Sequence, residues 1–156
     1  MNFPGPIAER VRPLFDALPL DQAMTQLVIR NGASKELAAL VSGIVASPEI
    51  AVRPPLCAGL WLYVDELDRS HTISQGIDDS TGSFWHGIMH RREGDFGNSH
   101  YWFHRVGKHP VIAKIAGYDP HAFIDEVEAQ HTKSPAALIE RQRDEWVTLF
   151  TWCAER

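Results

Sequence analysis

Two His-x-x-x-His pairs, His86/His90 and His100/His104, stand in the run Thr81–Pro110, which holds five of the eight histidines together with Trp85, Tyr101 and Trp102. Metal ligation is the chemistry that this spacing serves. Residues four apart on a helix share a face, so each pair offers two imidazoles to one ligand. Glu93 continues the His86/His90 face by one further turn. Two imidazoles and a carboxylate with open positions are the donors of non-haem iron and of catalytic zinc sites. Upstream, Asp68 and His71 form an acid-x-x-His motif, and Glu128 and His131 form another. Such motifs projecting inward from two helices are part of carboxylate-bridged di-metal bundles, but here Asp replaces Glu in the first and no inward glutamate precedes it. The expected metal ligands are His86, His90, Glu93 and Asp68, with His71 as the alternative to Glu93, holding a divalent zinc or iron ion. His71 and Arg92 are the expected catalytic groups, and Trp85, His100, Tyr101 and His104 the expected wall of a cofactor or ligand pocket.

Each assignment has a plainer competitor. Phe84, Trp85, Ile88 and Met89 lie opposite His86, His90 and Glu93 on the helical wheel, so burial of the aromatic face alone leaves the histidines in solvent. A helix wrapped on both sides buries them as well. His71 also suits a hydrogen-bonded core position, and His100 and His104 suit aromatic packing. Arg92, on the aromatic side, needs an acid partner or a bound anion. Asp65, Asp68 and Asp95 are the candidates, with Asp68 or Asp95 preferred.

Helices must position these groups. Pro4, Pro6, Pro13 and Pro19 break residues 1–22 into an ordered arm with at most a short helix over 7–15. Ser34 is an N-cap for a helix with Leu37, Leu40, Val41, Ile44 and Val45 at helical spacing, stopped by Pro48. Pro54-Pro55 opens a long helix over 55–75 with His71 on its apolar stripe. Shorter helices follow over 84–93, with Ser80, Thr81 or Ser83 as cap, and from Asn98 to about 106. A glycine-containing turn, 94–98, folds the second beside the first. A further helix after His109-Pro110 closes at Gly117. Asp119-Pro120 and Ser134-Pro135 open the last two helices, the final one running over 135–154. With no strand alternation, repeat or linker, the chain reads as a single all-α domain, an irregular helical bundle.

Composition narrows the function. At 156 residues with 44% hydrophobic and 22% charged residues, one domain can bury a sufficient core without disulfides. Cys57 and Cys153 are too few for a thiolate zinc site or a disulfide framework, and with no basic-then-apolar N-terminal signal and no apolar run of membrane length the expected location is the cytoplasm. Net charge is −5, which gives no general attraction to nucleic acid or anionic lipid. The stretch from His86 to His109 is locally basic, with Arg91, Arg92, Arg105 and Lys108 against Glu93 and Asp95.

The run GSFWHGIMHRREGDFGNSHYWFHRVGKHP, preceded by LDRSHTISQ, resembles a stretch of a family of uncharacterised bacterial proteins. The resemblance covers residues 56–112. It implies no activity and transfers no catalytic residue. Three function classes therefore stand on the residues alone. The first is a metal-dependent hydrolase or oxygenase acting on a small anionic substrate. The second is a protein that binds a small ligand or a haem-like cofactor without turnover. Nucleic-acid binding by the basic, aromatic stretch is the weakest, because the chain is acidic overall.

Overall fold

The helix that carries most of the chemistry, α6 (Ser80–Glu93), is buried on every side from Gly82 to Arg92. Its start is fixed by Asp79, whose carboxylate accepts from the backbone N–H of Thr81 (2.8 Å) and Gly82 (2.9 Å). Its end is fixed by Gly94 at φ 89°, a left-handed cap that glycine adopts without a Cβ penalty. The chain then reverses into α7 (Phe96–Val106), capped by Asp95 through the N–H of Asn98 rather than by Asn98 itself. Close packing of the two needs Gly87, where an added Cβ would stand 2.8 Å from the Phe103 ring. Ser99 closes the crossing by donating to the Gly87 carbonyl at 2.7 Å.

The computed structural model describes residues 3–156. Among them, the remaining helices are α1 (Gly5–Ala17), α2 (Lys35–Val45), α3 (Pro48–Ala51), α4 (Pro54–Tyr63), α5 (Leu67–Ser74), α8 (Pro120–Gln130) and α9 (Ala136–Ala154), with no strand. The protein is all-helical, in one domain with a continuous core. Residues 56–63 of α4 are all buried, which is why that stretch is apolar all round rather than striped. Trp146 of α9 donates its indole N–H to the Gly59 carbonyl at 2.8 Å and stacks on Phe150.

Several elements depart from the sequence reading. The expected arm is mostly α1, a 13-residue helix that tolerates Pro13 and buries Ile7, Val11 and Leu14; residues 1 and 2 lie outside the described residues. Its apolar spacing outweighs the prolines because Pro6 sits in the first turn, where no helical N–H partner is lost. The single helix over 55–75 is two helices, broken at Asp65, which adopts φ 66°. Asp tolerates that conformation better than most residues, and the break aims its carboxylate at Arg92. α6 begins at Ser80, four residues earlier than the expected start. Only a 3₁₀ turn, Ile112–Lys114, forms after Pro110, although Gly117 does take positive φ, 63°.

Residues 18–34 contain no helix, and much of their backbone is held by side chains from elsewhere. Gln142 donates to the carbonyls of Met24 (3.0 Å) and Gln26 (3.1 Å), and Arg143 to those of Ala23 and Asp21. The Ile29 N–H donates to the Arg92 carbonyl at 2.8 Å. No helix among the described residues is long and apolar enough to cross a membrane.

Candidate metal centre

α5 and α6 pack side by side, and their contact brings together three histidines that the sequence separates. One ligand nitrogen from each of His71, His86 and His90 lies within 4.8 Å of the others. Ring centroids are 4.7 Å apart for His71/His86, 4.8 Å for His86/His90 and 5.6 Å for His71/His90. His86 and His90 are buried and His71 is half-buried.

Hydrogen bonds determine which nitrogen each buried ring presents. Ser74 Oγ lies 3.3 Å from the His71 carbonyl and 3.2 Å from His86 Nδ1; with its hydroxyl proton on that carbonyl, its oxygen accepts from His86 Nδ1–H. Nε2 of His86 then carries the lone pair. His90 Nδ1–H donates to the Glu93 carboxylate at 2.5 Å, which likewise leaves Nε2 of His90 as the lone-pair nitrogen. Each ring thus has an oxygen at Nδ1, a contact that metal-binding histidines commonly make. Burial, followed by the neighbouring His90 and His71, lowers the His86 pKa to about 4, so that ring is neutral at physiological pH. Trp102 of α7 stacks across His86 with centroids 4.0 Å apart and covers the cluster from that side.

The expected ligand set is rearranged. Glu93 bonds the back of His90 instead of joining the three nitrogens, and Asp68 is exposed and belongs to neither ligand group. His71, expected as a catalytic group and as the alternative ligand to Glu93, supplies the third nitrogen of the group. A second group, His90, Glu93 and Asp95, shares His90. Both Asp95 oxygens there already accept from Asn98, and those bonds hold its carboxyl below the usual range.

Arg92, the other expected catalytic group, is buried and engaged in structure through both terminal nitrogens, with Nε unpaired. It donates to Asp65 at 2.6 Å, to the Leu62 carbonyl at 2.7 Å and to the Gln26 carbonyl at 3.3 Å. Its carboxylate partner is Asp65, not Asp68 or Asp95, because the break after α4 turns Asp65 inward. Arg91 is equally buried, in a two-bond pair with Glu145, which also accepts from the Tyr118 hydroxyl. With both arginines internal, only Arg105 and Lys108 of the basic stretch reach solvent.

The expected pocket wall does not converge. Trp85 is buried beside Trp146 on the opposite face of α6, and Tyr101 is 54% exposed. His100 and His104 face α8, where His121 stacks on His100 at 5.0 Å and lies 4.5 Å from His104. Burial, with His104 and His100 next, lowers the His121 pKa. His131 packs on Phe96, apart from both clusters.

A separate open cavity of about 520 Å³ is lined by His109, Ile112 and Tyr118. It offers no free ring nitrogen. His109 Nδ1 accepts from the Val111 N–H, so Nε2–H donates to the Thr81 hydroxyl, each at 3.2 Å. Both nitrogens are committed, and Thr81 has no base beside it.

Ser74 and the stacking role of Trp102 were not assigned from the sequence. The spacing His71-x-x-Ser74 on one helix is a faint signal for the first. The second follows once 94–98 is recognised as a reversal. The chain matches no family model, no curated protein and no solved structure.

Proposed function

We propose that the chain is a mononuclear metal protein in which His71, His86 and His90 hold a divalent transition-metal ion, and that it uses the ion to act on a small anionic molecule. The observation that carries this reading is that one nitrogen from each of three imidazoles lies within 4.8 Å of the others while Nδ1 of His86 and of His90 is already bonded, to Ser74 and to Glu93. Packing alone has no need of three imidazoles set so close. Their mutual proximity costs stability whenever one becomes protonated.

Three neutral nitrogens suit zinc better than the carboxylate-containing iron sites, because Glu93 is withdrawn from the ligand set. A bound zinc ion with a fourth position for water would supply a Lewis acid and lower the pKa of that water to about 7. The ligands carry no charge, so the ion's double positive charge is left for an oxyanion or an anionic substrate to meet. Half-buried His71 marks the side open to solvent, and Trp102 closes the side at His86. Hydrolysis of a small anionic ester or amide is the reaction class that this combination serves best.

Metal content of tag-free protein, with zinc, iron, nickel and copper measured together, tests the reading. Close to one zinc per chain, lost in both His86→Ala and His90→Ala, is the expected result. Wild-type protein without stoichiometric metal after purification and after zinc addition would overturn it.

A further inference from the structure

Outside the three-histidine centre, the densest set of imidazoles lies between α7 and α8, where His100 and His104 of one helix meet His121 in the first turn of the other. His100 Nδ1 and His121 Nδ1 face each other at 2.7 Å. Two neutral nitrogens at that distance share a single proton. On its far side His100 Nε2 lies 3.0 Å from Asp125 Oδ1, and an ionised carboxylate only accepts, so His100 carries its proton on Nε2. Nδ1 of His100 is then the lone pair, and His121 supplies the shared proton. The His100 ring is oriented as His90 is oriented by Glu93: a carboxylate fixes one nitrogen and the other is left as a donor to an ion. His104 sits one helical turn from His100, is exposed, and has its ring 4.5 Å from that of His121. For His104 to contribute a third nitrogen its exposed side chain must rotate toward that pair.

We propose that His100, His104 and His121 form a second, half-exposed site for a divalent transition metal, one that clamps α8 onto α7. Binding is a tautomer exchange: the ion forms bonds to Nδ1 of His100 and Nδ1 of His121, and the proton between them passes through solvent to Nε2 of His121, so that both rings stay neutral. The two nitrogens separate slightly to admit the ion, which neighbouring rings on separate helices can do by small rotations. Zinc, copper(II) and nickel(II) are the chemistries matched by imidazole donors, whereas magnesium and calcium are not. The proposal is independent of the buried centre, since the two sites share no residue.

Zinc and then nickel titrations of the full-length, tag-free chain, followed by calorimetry with native mass spectrometry to count ions, distinguish the two. Wild type is expected to take two zinc ions, one held more weakly than the other. His121→Ala and His104→Gln are expected to remove only the weaker one, and His86→Ala only the tighter one. Asp125→Asn keeps all three rings and is expected to weaken the second site roughly tenfold or more. A wild type that takes one ion, lost in His86→Ala and kept in His121→Ala, would overturn the surface site and leave the buried one standing. One ion kept in His86→Ala and lost in His121→Ala would do the reverse, and two ions retained in both His121→Ala and His104→Gln would overturn the assignment of ligands.

Discussion

The tautomer of an imidazole is decided by its neighbours, and at His86 and His90 those neighbours are Ser74 and Glu93. Glu93→Gln keeps an oxygen that can accept from Nδ1–H but removes the charge. We expect it to weaken zinc binding by about 10-fold to 100-fold with helicity unchanged, read by competition with a chromophoric chelator. Ser74→Ala is expected to act in the same direction, since it frees His86 to flip. The residue identities at this scale were only partly readable in the sequence. The His86/His90 spacing put two of the proposed ligands on one face, where the structure brings them beside His71. Glu93 sits on that face too, but a carboxylate three residues from a histidine reaches its Nδ1 more readily than it reaches a shared ion. Helix periodicity does not tell these two uses apart.

At the scale of elements, the site depends on α6 being wrapped from all sides, and the buried arginines on that helix show the cost. Arg92 is held by Asp65 only because α4 and α5 separate at a residue with φ 66°. Removing one member of a buried pair leaves the other charge uncompensated. Arg92→Ala is expected to destabilise by about 3 to 5 kcal/mol in denaturant melts. A loss below about 1 kcal/mol would contradict its structural role. Gly87→Ala forces a methyl against Phe103 and is expected to cost about 1 to 3 kcal/mol while pushing α7, and with it Trp102, off the histidines. Proline and N-cap signals located α2, α8 and α9 well. They missed the break at Asp65, because the apolar stripe runs through it and nothing local marks a left-handed aspartate. They also shortened α1 and α6, where tertiary packing extends helices that local signals leave open.

Across the whole molecule, neutral histidines inside the fold link stability to pH. The His86 pKa is lowered to about 4, chiefly by burial, and burial also lowers that of His109. A group whose folded pKa lies below its unfolded value of about 6.5 binds more protons when unfolded, so stability rises with pH across that interval. In metal-free protein, melts at pH 7 and pH 5 are therefore expected to show lower stability at pH 5, by an amount on the order of 2 kcal/mol for His86 alone. Equal stability at the two values would mean that these rings are not buried neutral. Zinc bound to the folded state alone would deepen the slope, because protons compete for its ligands. The all-helical architecture was legible from period and composition, while the choice of His71 over Glu93 beside His86 and His90 was not, since it depends on how α5 crosses α6.

The most direct measurement is zinc stoichiometry of tag-free protein carrying His71→Ala, because His71 is the ligand that comes from a different helix. One zinc per wild-type chain at the buried centre, with that ion lost in His71→Ala while helicity by circular dichroism is retained, is the expected outcome. Full retention of that zinc in His71→Ala, or no zinc in the wild type after reconstitution, would contradict a three-histidine metal centre.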